Sequence, residues 1–182
     1  MDLWTAHPSP AFGSLTGAYN TSSGILVDTT IRQTMRVTLD SEQIRIRVSN
    51  NFGNQFLNIT SMTVRYPGAS LDPNATGTST GTGSPFVQID SLKTVTFSGN
   101  SSISLPDGTL GVSDPINLPI KAQSQISVSI YLATGQGGTN MTGHLTSQTL
   151  SWFGFGFGDQ TSAYNITGNG VRSATQWYFL SA

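Results

Sequence analysis

The sequence predicts an all-β fold, a two-sheet antiparallel β-sandwich of jelly-roll type with little or no helix. Three observations lead there. Apolar and polar residues alternate with period two in several short runs, the spacing that sends successive side chains to opposite faces of a strand. With 20 Gly, 24 Thr and 24 Ser in 182 residues, the composition suits short strands joined by tight turns. The strong helix formers Ala, Glu, Lys and Leu never gather into a long amphipathic window. About nine or ten strands without long helical crossovers imply two packed antiparallel sheets rather than a parallel α/β sheet. A single domain over residues 1–182 is long enough to bury a core without covalent staples. The absence of Cys removes disulfides and thiolate metal sites from consideration.

In residues 31–39, Ile31, Met35, Val37 and Leu39 share one parity and Arg32, Thr34, Arg36 and Thr38 the other, which predicts a half-buried strand. Residues 40–43 supply a turn, and Ile44, Ile46 and Val48 then alternate with Arg45, Arg47 and Ser49. The two runs read as a hairpin that sets Arg36 opposite Arg47, a like-charge pair in need of a partner. Leu57 and Ile59 open a strand whose parity flips before Met62, Val64 and Tyr66, and a bulge at Thr60 or Ser61 accounts for the flip. Residues 67–85, rich in Gly, Ser, Thr and Pro, are expected to form a long, exposed, flexible loop. Short strands follow around Val95 and Phe97, Ile103 and Leu105, and Leu110 and Val112, the last two runs joined by a Pro106-Asp107-Gly108 turn. Ile126, Val128, Ile130 and Leu132 against Gln125, Ser127, Ser129 and Tyr131 show the cleanest alternation and predict a central strand. Strands at residues 152–157, where three Phe alternate with Gly, and at residues 175–180 complete the set.

Charged residues make up 9% of the chain and the formal net charge is -1, against a usual charged fraction of about 25%. Hydroxyls and amides therefore carry solubility, and a nucleic-acid partner is not expected. No apolar run is long enough for a membrane-spanning helix. The acceptor pattern for N-glycosylation occurs at Asn20, Asn58, Asn74, Asn100, Asn140 and Asn165. Six exceed the roughly three that random placement of 11 Asn and 48 hydroxyl residues would produce. They predict a secreted, extracellular glycoprotein, although the opening Met1-Asp2-Leu3-Trp4 has neither the basic nor the apolar region of a signal peptide.

Nucleophilic hydrolysis needs a nucleophile, a base within hydrogen-bond reach and a group to orient the base. His7, in a Pro-rich segment, and His144, in a Gly/Thr loop, are the histidines available. Neither has a carboxylate at a suggestive spacing, so both read as structural or surface residues. No acidic cluster suggests a metal, Asp107 and Asp114 read as turn residues, and the Gly-x-Gly run at residues 154–158 lies among Phe residues rather than at a helix start. Paired carboxylates for glycoside hydrolysis stay open without a feature that favours them. No catalytic residue, metal ligand or cofactor is assigned.

Arg32, Arg36, Arg45 and Arg47 fall on the polar faces of the first two strands. Either Asp40, Glu42, carbonyls and water satisfy them on a solvated face, or they form a docking surface for a second domain or an acidic polysaccharide. Trp152 and Phe155, with Phe153 and Phe157, either fill the core or offer a sugar-stacking platform. Trp4, Trp177 and Tyr178 read as packing at the chain ends.

The run Thr30-Ile31-Arg32-Gln33-Thr34-Met35-Arg36-Val37-Thr38-Leu39 and then Ile44-Arg45-Ile46-Arg47-Val48-Ser49-Asn50-Asn51-Phe52-Gly53 resembles the N-terminal β domain of secreted fungal and actinobacterial SGNH (GDSL-like) esterases. The resemblance continues through residues 94–99, 112–115 and 127–132 to Trp177-Tyr178-Phe179-Leu180-Ser181-Ala182 and covers most of the chain. It implies a C-terminal α/β catalytic domain, absent here, whose Gly-Asp-Ser block supplies the nucleophile. In this sequence Gly158-Asp159 is followed by Gln160, and the blocks for oxyanion donor and base are missing, so no catalytic residue carries over. The implied role is a non-catalytic accessory domain that packs on the catalytic domain of an ester or acyl hydrolase. The alternative is a free-standing, lectin-like carbohydrate-binding module.

Overall fold

The computed structural model describes residues 2–11, 20–21, 24–69, 83–144, 147–168 and 170–182. The strands in the first half are β1 (Ser9–Pro10), β2 (Asn20–Thr21), β3 (Gly24–Ile25), β4 (Thr29–Arg36), β5 (Ser41–Ile44), β6 (Arg47–Ser49), β7 (Leu57–Ile59) and β8 (Ser61–Arg65). Those that follow are β9 (Lys93–Thr94), β10 (Ile103–Leu105), β11 (Leu110–Val112), β12 (Ile116–Ile120), β13 (Gln125–Leu132), β14 (Thr142–His144), β15 (Ser151–Phe155), β16 (Arg172–Ala174) and β17 (Trp177–Tyr178). One 3-10 turn, Ile89–Ser91, is the helical element among the described residues. The chain is an all-β sandwich.

One layer is a six-stranded antiparallel sheet in the order β16-β15-β4-β13-β8-β9. Its centre is β13, paired with β4 from Gln125↔Arg36 to Leu132↔Thr29 and with β8 from Ser127↔Arg65 to Tyr131↔Ser61. The clean alternation of this run is what a strand flanked on both sides and packed on an apolar core requires. Ile31, Met35, Met62, Val64, Val128, Ile130 and Phe153 point into that core.

The second layer faces them with Ile44, Ile46, Val48, Leu118, Ile120 and Leu180. Residues 41–49 run through β5 and β6, paired to β12 and β11 on one side. On the other side Val48 bridges Leu180, and the C-terminal residues continue into β17, β14 and β1. Gln33 ties the layers together: its Nε2 donates to the Tyr178 carbonyl at 2.9 Å and its Oε1 accepts the Tyr178 N–H at 2.5 Å. A side-chain amide thus replaces a strand neighbour across the sandwich.

The expected hairpin between residues 31–39 and 44–49 does not form. Both runs carry a buried apolar face, and the chain buries both by placing them in opposite layers. Val37 keeps pairing with the start of β13, its N–H bonding the Ser124 carbonyl and its carbonyl accepting the Gln123 N–H, each at 2.9 Å. The Asp40 carboxylate then accepts the Ala122 N–H at 2.5 Å and holds the corner. Arg36 lies opposite Gln125, not Arg47, so the like-charge conflict never arises.

The bulge is where the parity flip predicts. The Thr60 N–H donates to the Tyr131 carbonyl at 2.9 Å beside the Ser61↔Tyr131 pair, so two consecutive residues meet one partner. The bulge lets one run of chain pair with β10 before it and β13 after it. The exposed loop expected over residues 67–85 is corrected at both ends. Gly68 and residues 83–85 are buried, the Gly68 N–H bonds Phe86 at 2.9 Å, and Pro67 bridges Val87. Residues 70–82 lie outside the described residues.

Candidate functional site

The polar parity of the six-stranded sheet is roofed by the segment 158–167, fastened by side chains rising from the strands. The Thr30 hydroxyl donates to the Gly158 carbonyl at 3.2 Å and accepts the Gln160 N–H at 3.0 Å, and Thr63 donates to the Thr161 carbonyl at 2.8 Å. A Cβ at Gly154 of β15 would meet Ile166 Cγ2 at 2.8 Å. Glycine at that position lets the segment lie against the sheet.

Arg32 sits under this roof and is the largest fully buried side chain. All five of its N–H donors are used. Nε bonds the Ser129 hydroxyl at 2.8 Å, one terminal nitrogen bonds the carbonyls of Pro85 and Tyr164, and the other bonds those of Gln160 (3.3 Å) and Ala163 (2.8 Å). Burial, and after it the like charge of Arg65, lowers the Arg32 guanidinium to about 9. Arg32 is therefore a structural clamp and is withdrawn from the docking residues. The sequence placed it on a polar face correctly, but that face is covered by loop backbone rather than by water.

Arg36 and Arg45 are exposed and Arg47 is half-buried. Arg45 donates to the Ser113 carbonyl at 3.0 Å, and Arg47 donates to the Ser181 hydroxyl at 3.1 Å. Among the described residues the only ion pair is Lys121 with Asp40, at 3.8 Å; Arg36, Arg45 and Arg47 make none, and the charge of Arg45 acts at a distance on Asp114, helping to hold its carboxyl low. Val112 and Leu110 of β11 lie across from Arg47 and Ser49 of β6, and side chains paired across an antiparallel ladder share a face. The result is a surface on which Arg45 and Arg47 stand beside Leu110 and Val112, which are 54% and 52% exposed. A hollow of about 320 Å³ opens there between the layers, with Met35, Ile46 and Ile126 at its apolar wall and Asp2, Trp4, Arg45, Arg47 and Ala182 also lining it.

The aromatic run divides by position. Phe153 is fully buried, stacks on Phe155 at 5.6 Å between ring centroids and meets Tyr178 edge-to-face at 5.5 Å. Phe155 and Trp152 are half-buried, and Trp152 lies across from Arg32 beside the roofing segment. Phe157, beyond the strand end, is exposed. The run thus divides between the core and the surface. Among the glycosylation candidates Asn100 and Asn140 are exposed. Asn58 is half-buried and accepts the Ser104 hydroxyl at 2.6 Å, and Asn165 has its Oδ1 buried. Asn74 and the side chain of Asn20 lie outside the described residues.

His7 is exposed, and His144 packs its ring 5.5 Å from that of Trp177. No three potential metal ligands come together among the described residues. Asp114 does act as a turn residue: it accepts the Thr96 hydroxyl at 2.7 Å and the Gly99 and Ser98 N–H groups at 2.8 and 3.1 Å.

Sequence reasoning missed a second groove. Trp4 and Trp177, from opposite ends of the chain, meet edge-to-face at 4.9 Å, and beside them Arg36, Gln123, Gln125 and Gln148 line a groove of about 450 Å³. No periodicity or motif links these positions, so the sequence carries no local signal for it.

The chain matches no protein-family model and no curated protein. What fold and surface define is a class: an all-β sandwich whose Arg36, Arg45 and Arg47 make no ion pair among the described residues. No described helix is long and apolar enough to cross a membrane.

Proposed function

We propose that this chain works as the non-catalytic N-terminal accessory domain of a secreted SGNH-type esterase and packs on that enzyme's catalytic domain. One observation supports it above the resemblance itself. Arg45 and Arg47, which make no ion pair among the described residues, share a face with the exposed Leu110 and Val112, and Asp2 and Ala182 line the adjoining hollow. A domain joined after Ala182 would be delivered to a surface that already combines exposed apolar area with arginine, a residue enriched at interfaces. Exposure of Asn100 and Asn140 is compatible with glycosylation on the secretory route.

The coding sequence downstream of Ala182 tests the parent class, with a Gly-Asp-Ser block and an α/β domain expected. In the joined protein, Arg47→Glu combined with Val112→Asp should raise hydrogen exchange at β11 and lower the catalytic domain's thermal midpoint. A stop codon after Ala182 together with a stable monomeric chain refutes the proposal.

A further inference from the structure

The groove at the meeting of the two chain ends differs from the Arg45 and Arg47 hollow in chemistry. Trp177 is held from behind, its Nε1–H donating to the Thr34 carbonyl at 3.1 Å and its neighbour His144 packed on the ring. Trp4 meets it at right angles. Arg36 and Gln125 stand side by side as a cross-strand pair of β4 and β13, and Gln123 and Gln148 line the same space. No hydrogen bond or ion pair within the described residues uses the guanidinium of Arg36 or the side-chain amides of Gln123, Gln125 and Gln148. No Asp or Glu lines the groove.

These groups match one ligand chemistry. Each carboxamide offers two donors and an acceptor, the complement of vicinal hydroxyls. Indole presents a broad, rigid, amphipathic surface on which the C–H face of a pyranose can rest. A guanidinium fork pairs bidentately with a carboxylate, and the lack of acidic lining leaves a carboxylate unopposed. The volume falls within the range of roughly 300–1,000 Å³ typical of small-ligand sites. A neutral sugar would leave the Arg36 charge unused, and a nucleic acid would need a broader basic track than one arginine.

We infer that the groove formed by Trp4, Trp177, Arg36 and the three glutamines binds an acidic oligosaccharide, a chain carrying uronic-acid residues. Trp4 lines both spaces, but this inference stands apart from the docking role because Arg36 and the glutamines line this groove and not the Arg45 and Arg47 hollow.

Affinity electrophoresis and titration calorimetry of the chain with oligogalacturonate and oligoglucuronate test it. The methyl ester of oligogalacturonate serves as the matched uncharged probe. Wild-type protein should be retarded by at least one acidic oligomer, with binding at least tenfold weaker to the methyl ester. Arg36→Gln should lose affinity by about tenfold, Gln148→Ala by a smaller factor, and both should keep the wild-type thermal midpoint because both side chains are exposed. Binding should also weaken as salt screens the exposed ion pair. No binding to either acidic oligomer, equal binding to the methyl ester, or an Arg36→Gln variant that binds as well as wild type would overturn the inference.

Discussion

Replacing Arg32 by Met keeps a long, flexible side chain of similar reach while removing five donors at once. Five acceptors then lose their partner: the Ser129 hydroxyl and the carbonyls of Pro85, Tyr164, Gln160 and Ala163. The bonds to Pro85 and Gln160 are wholly buried, whereas those to Tyr164 and Ala163 border solvent. Two buried carbonyls left unsatisfied cost about 1–3 kcal/mol each, while relief of the buried guanidinium's desolvation offsets part of that. A net loss of about 3 kcal/mol follows, which for a domain of this size lowers the thermal midpoint by roughly 6–12 °C. Circular dichroism melts measure the midpoint. Hydrogen exchange should show the loss concentrated at residues 83–87 and 158–167, the two segments the guanidinium joins. Arg32→Lys should fall between, since an ammonium has three donors and no fork. An Arg32→Met midpoint within about 2 °C of wild type, with unchanged exchange in both segments, would refute the clamp.

Asp114 and Tyr131 give opposite pH signatures. The Gly99 N–H first, then the Thr96 hydroxyl, hold the Asp114 carboxyl below the usual carboxylate range. Its contribution to stability is thus complete above the unfolded value of about 3.9 and lost as pH falls through the lower folded one. Asp114→Asn should lower the urea midpoint at pH 7, with the gap to wild type closing toward pH 2; a gap independent of pH counts against this role. Burial first, then the hydrogen bond to Asp28 and the charges of Asp28 and Asp159, push the Tyr131 phenol up to about 12. That contribution is complete below about 10 and lost as pH rises through the folded value. Tyr131→Phe should remove a step near pH 12 from an ultraviolet titration, and a profile identical to wild type would contradict the assignment.

Much of the strand pattern is legible because alternation is local. Gln125–Leu132 declares itself as the central strand, the flip after Ile59 marks its bulge, and Pro106-Asp107-Gly108 makes the turn between β10 and β11, with Gly108 at φ +70. Several strands carry no legible signal: β1, β2, β3, β14 and β16 are two or three residues long, and β5 begins at Ser41 inside the expected turn. Ile116–Ile120 alternates buried and exposed at every residue, but Pro119 interrupts the run. Pro119 is tolerated there because the pairing of β12 with β5 slips register between Asn117 and Ile120, and among the described residues β12 pairs with no other strand.

Pairing and covering are a different matter. The runs through Arg36 and Arg47 look like neighbours in sequence, yet each needs an apolar partner surface, and both needs are met by setting them in opposite layers. Arg32 and Arg36 look equivalent on one strand, four residues apart and on the same face. The 158–167 segment lies over the first and not over the second, which makes one a clamp and leaves the other free. From sequence alone come the β class, the strand faces and the shortage of charge, since all three depend on residue identity and short-range periodicity. The tertiary structure alone decided which strands pair, which arginines meet solvent and that Trp4 meets Trp177, because those depend on contacts between residues far apart along the chain.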